Sequence, residues 1–86
     1  MSDENVIKIG HITHFFSKIS VAVIELKAPL KVGETIVIKG PNTDFEQTVD
    51  SMQIEHENVQ QAEAGQSIGM KVLQRVRETD TVYKKL

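Results

Sequence analysis

Nineteen residues of this chain are Val or Ile, against eight that are Leu or Ala. A β-branched side chain loses rotamer freedom against the preceding turn of a helix and packs well on a pleated surface. The balance therefore points to strands. Length narrows the choice further. Eighty-six residues suffice for one domain, expected to span 1–86. A chain of this size buries only about 60–65% of the surface that its unfolded form exposes. It has no Cys, so no disulfide, thiolate zinc site or cysteine nucleophile is available to it.

Periodicity places the strands. Val6 to Phe16 alternates and then slips phase at Gly10, which predicts a bulge there. Val21 to Leu26 is apolar on both faces until Glu25. Thr35 to Lys39, Phe45 to Glu55, Ser67 to Leu73 and Thr81 to Leu86 complete a set of six. A parity change between Val49 and Met52 predicts a second bulge at Asp50-Ser51. His56 to Gly65 is polar, with room for one helical turn. Leu30, Val32, Ile36, Ile38, Val49, Ile68 and Met70 are the expected interior. The expected fold is all-β, a small six-stranded closed antiparallel barrel, because closure removes exposed sheet edges.

The acidic, polar start, residues 1–5, is expected to be flexible and lacks the pattern of a signal peptide. No stretch approaches the roughly 18 apolar residues of a membrane span. The expectation is a cytoplasmic protein with no membrane partner.

The net charge of -2 conceals an uneven distribution. Residues 40–70 contain no Lys or Arg and six acids, whereas Lys71, Arg75, Arg77, Lys84 and Lys85 crowd the C-terminal end. That basic set is the candidate nucleic-acid surface. Only one Tyr and no Trp are present to stack on bases.

A search for chemistry finds little. His11 and His14 are three apart, on opposite faces of a strand. His56 stands between Glu55 and Glu57 in the acidic middle. Neither a phosphate-binding P-loop nor a nucleophile elbow occurs, so no GTP binding by this chain alone is expected. The expectation is a non-catalytic binding module with no metal and no cofactor.

Three motifs carry a resemblance. Leu30 to Gly40, LKVGETIVIKG, is similar to the L-x-V-G-[DE]-x-[IV]-x-[IV]-x-G segment of the second-domain β-barrel of translational GTPases such as elongation factor Tu. Thr48 to Met52 resembles the T-x-V-x-S-[IM] strand of that barrel. Val59, Ala62, Ala64-Gly65 and Ile68-Gly69 resemble its V-x-x-A-x-x-G-x-x-[IV]-G pattern. The resemblance covers residues 9–73 and implies a free-standing barrel of the translation-factor domain 2 type, without the GTPase domain. Similar barrels also occur as accessory domains on enzymes, collagenase-like peptidases among them.

Two functions follow. The resemblance implies a module associated with tRNA, ribosomal RNA or the ribosome, through the basic set above. The alternative is a protein-interaction or accessory module serving an enzyme, or a homodimer. Its candidate contact is Phe15, Phe16 and Ile19, because adjacent Phe residues on a strand point to opposite faces and only one reaches the interior.

Overall fold

The computed structural model describes residues 5–86. They form ten strands and no α-helix: β1 (Val6–Phe16), β2 (Val21–Leu26), β3 (Leu30–Lys31), β4 (Thr35–Gly40), β5 (Thr43–Thr48), β6 (Met52–Ile54), β7 (Glu57–Val59), β8 (Gln61–Ala62), β9 (Ser67–Lys71) and β10 (Thr81–Lys85). Eight make one antiparallel sheet in the order β5-β4-β10-β1-β2-β9-β6-β7, and β3 pairs with β8. The last strand, β10, thus lies inside the sheet, between β4 and β1.

Alternation explains the interior. On β2, Ala22, Ile24 and Leu26 turn inward while Val21 and Val23 remain half-buried on the other face. On β9, Ile68 and Met70 turn inward and Ser67, Gly69 and Lys71 outward. Leu30, Ile36, Ile38, Val49, Ile68 and Met70 are buried as expected, and Val32 packs at the margin. Ile9, Ile12, Ile24, Leu26, Met52, Val76 and Val82 complete the core. Each such aliphatic side chain contributes roughly 1.5–3 kcal/mol.

The bulge expected at Gly10 is present: the β1–β10 register shifts between Lys8 and Gly10. A side chain at Gly10 would run into the Glu25 carbonyl on β2, so the close approach of the two strands requires glycine. A further shift between Ile12 and His14 in the β1–β2 ladder returns Phe15 to the core side. The Asn5 carbonyl accepts a hydrogen bond from the Leu86 amide at 2.8 Å. The rest of the start expected to be flexible, 1–4, lies outside the described residues.

Three expectations are corrected. The six-stranded closed barrel is an open, eight-stranded sheet with β5 and β7 at its ends. A cleft of about 390 Å³, lined in part by Gln47, Asp50, Ser51 and Leu73, lies at a seam between the end of β5 and the end of β9. The Gln47 side chain crosses it as a rung: Nε2 donates to the Lys71 carbonyl at 3.0 Å, and Oε1 accepts from the Leu73 amide at 2.9 Å. The parity change at Asp50-Ser51 is not a bulge but the point where the chain leaves β5 and starts β6, on the far side of the sheet. His56 to Gly65 holds no helical turn; it contributes β7 and β8.

Candidate binding groove on the outer sheet face

The two-sided apolar character of Val21 to Leu26 has a structural consequence. With Ala22 and Ile24 in the core, Val21 and Val23 face outward. Register aligns them with neighbours: Val23 pairs with His14 on β1 and with Gly69 on β9, and Gly69 pairs in turn with Gln53 on β6. The row has a gap at Gly69. Two hairpins wall it. One is the β1–β2 turn, closed by a 3.2 Å hydrogen bond from the Ile19 amide to the Phe16 carbonyl. It presents Phe16, 47% exposed, and Ile19, 56% exposed. The other is the β6–β7 turn, Glu55-His56.

Between these walls lies a groove of about 400 Å³ lined by Phe16, Ile19, Val21, Val23, Gln53, Glu55, His56, Ser67, Ile68 and Gly69. Most of its exposed lining is carbon. A smaller cleft of about 190 Å³ shares Val21, Gln53 and Gly69 with it and extends past Ser51 to Lys71. The trough therefore continues toward the seam bridged by Gln47.

Polar groups stand at the rim. His14 Nδ1 lies 3.4 Å from the Glu78 carboxylate, and its ring is 4.3 Å from that of Phe16, tilted by 58°. Asn58 Oδ1 accepts a 3.2 Å hydrogen bond from Gln53 Nε2, tying β7 to β6 across their side chains. On another part of the sheet, His11 Nε2 is 3.4 Å from Glu25. No group of three or more His, Cys, Asp or Glu able to hold a metal ion occurs among the described residues.

The candidate residues from the sequence fare differently. Phe16 and Ile19 meet at the groove, whereas Phe15 packs against the core. Within the basic set, two residues pair with acids elsewhere in the fold. Lys84 and Lys85 are adjacent on a strand and so diverge. Lys84 is 3.5 Å from Glu34, and Lys85 is 3.2 Å from Glu46. Arg75 and Arg77 are exposed in the β9–β10 connection, and Lys71 lines the trough. Val21, Val23, Gln53 and Gly69 escaped the sequence reading as site residues, and Glu55 and His56 were noted there only as part of the acidic middle. The doubled apolar parity of VAVIEL was the available signal for the first two.

Comparisons give the groove a context. No protein-family model matches the chain. Over 78 residues, 90% of the chain, it is 47% identical to a protein of Methanocaldococcus jannaschii described as an uncharacterised protease. Over 80 residues, 91% of the chain, it is 35% identical to a collagenase of Porphyromonas gingivalis. The chain spans 19% of the length of each. In fold it matches the C-terminal domain of a Geobacillus thermoleovorans protein described as a U32 peptidase. The TM-score is 0.86 at 16% identity, covering 92% of both chains. The selenomethionine form of the same domain gives a TM-score of 0.83 over 87% of this chain and 95% of that one.

These findings overturn the translation reading. The relatives are named as a protease and collagenases, so the likeness to elongation factor Tu, the RNA and ribosome partners and the expectation of a non-enzyme are all corrected. The physical reason is that the L-x-V-G motifs encode a turn and a strand, and a fold does not specify a function. Among the described residues, no helix is long and apolar enough to cross a membrane.

Proposed function

We propose that this chain, as one domain over residues 1–86, forms part of a peptidase of the U32 type and helps it engage polypeptide. The observation that carries this reading is the 47% identity to a protein described as a protease, across 90% of the chain. Two further points support it. The matching fold is that of a C-terminal domain of a protein described as a U32 peptidase. The apolar groove on the outer sheet face is open to a partner and has the lining that polypeptide side chains require.

The test is a segment exchange. This chain replaces the matching segment of the Porphyromonas gingivalis collagenase, and hydrolysis of denatured collagen is compared with that of the parent. The reading expects activity within about a factor of ten of the parent. A chimaera that melts cooperatively yet no longer hydrolyses collagen would contradict it.

A further inference from the structure

Gly69 sits in mid-strand, where glycine weakens a strand unless something requires it. Nothing in the backbone does. Its φ lies outside the left-handed range, and an added Cβ would meet only Val21 Cγ1, at an ordinary 3.5 Å. The absence of a side chain nonetheless has one clear effect: it keeps the groove open between Val23 and Gln53.

The facing wall is held at a conformational cost. Glu55 and His56 have φ of 51° and 69°, both left-handed, forming the two-residue turn between β6 and β7. Such turns favour Asn-Gly, and a non-glycine residue there is held against its own backbone preference. Strain of this kind persists where surrounding structure enforces it and collects at ligand clamps. Here it places a carboxylate and an imidazole on the rim of an apolar groove.

Charge then selects the occupant. Glu55 lines the groove, Glu57 is exposed just beyond it on β7, and no Lys or Arg is among the residues that line the groove. We propose that the groove between the β1–β2 and β6–β7 hairpins takes one large apolar side chain of an extended polypeptide, with an adjacent Lys or Arg of that polypeptide held at Glu55. Phe16, Ile19, Val21 and Val23 receive the apolar group, over the space that Gly69 leaves. This rests on the peptidase reading above and names the kind of sequence the domain engages.

The test uses the whole chain and two labelled peptides, Gly-Ala-Leu-Lys-Ala-Gly and Gly-Ala-Leu-Glu-Ala-Gly, followed by fluorescence anisotropy. The Leu-Lys peptide should bind about tenfold more tightly than the Leu-Glu peptide, and less so as salt rises. Gly69→Leu fills the groove and should weaken binding of the Leu-Lys peptide by at least about tenfold. Glu55→Lys, at an exposed position, should reverse the preference between the peptides while leaving the fold intact. Equal affinity for both peptides, no binding by folded protein, or unaltered binding by folded Gly69→Leu would overturn the proposal. So would a concentration-dependent dimer abolished by Gly69→Leu, which would make the occupant a second copy. The segment exchange does not depend on these peptides, so the groove can fail while the peptidase reading stands, and the reverse.

Discussion

Gln47 offers a sharp test of how the open sheet is held at its seam. Its side chain is largely buried and forms two hydrogen bonds that no strand ladder supplies, to the Lys71 carbonyl and from the Leu73 amide. Gln47→Met retains length and volume and removes both. Each bond contributes about 1 kcal/mol net, and a partner left buried without water costs roughly 1–3 kcal/mol more. The Leu73 end is partly open to solvent through the seam cleft, which limits the second cost. The expected loss is therefore about 2–4 kcal/mol. For a domain of this size that lowers Tm by roughly 10–25 °C. Urea denaturation followed by circular dichroism reads it directly, with Gln47→Glu as a companion that sets a carboxylate against the Lys71 carbonyl and should lose at least as much. A loss below about 0.5 kcal/mol would refute the reasoning, because it would mean that the seam is held by the core and not by this rung.

Other perturbations test the interior and the turns. Ile36→Ala removes a fully buried side chain and should cost about 2–5 kcal/mol by chemical denaturation. Gly40→Ala drives a methyl group into the Asp80 carboxylate, itself buried in the turn it caps at the Arg77 amide; about 1–3 kcal/mol should be lost, and a neutral result would show that the carboxylate swings away freely. Replacing Glu55-His56 by Asn-Gly relieves the left-handed turn and should raise stability by about 1 kcal/mol in a thermal melt, whereas a fall would show that the turn is not strained.

Much of the strand content was legible because β-branched residues alternate. Ile36 and Ile38 read correctly as core positions, as did the slip at Gly10. Closure was not legible. It depends on whether the end strands β5 and β7 pair, which alternation within each strand does not encode, and the Gln47 bridge from β5 to the end of β9 is equally invisible to parity. Asp50-Ser51 misled for a related reason: a parity change looks the same whether one strand bulges or two strands meet. In the site, Phe16 and Ile19 were visible as surplus apolar residues beside a turn. Gly69 entered the sequence reading only within the Ile68-Gly69 motif, and it has neither tight neighbours nor a left-handed backbone to mark it otherwise. At the basic C-terminal end, strand alternation turns Lys84 and Lys85 to different acids, Glu34 and Glu46, pairings that no sequence spacing announces.

The central claim is that the outer groove engages the polypeptide on which a peptidase acts. Steady-state kinetics on the chimaeric collagenase carrying this chain, with and without Gly69→Leu, tests it most directly. Filling the groove should raise KM for denatured collagen about tenfold with kcat held, the signature of lost binding that is equal in the ground and transition states. An unchanged KM in a cooperatively folded Gly69→Leu chimaera would contradict the account.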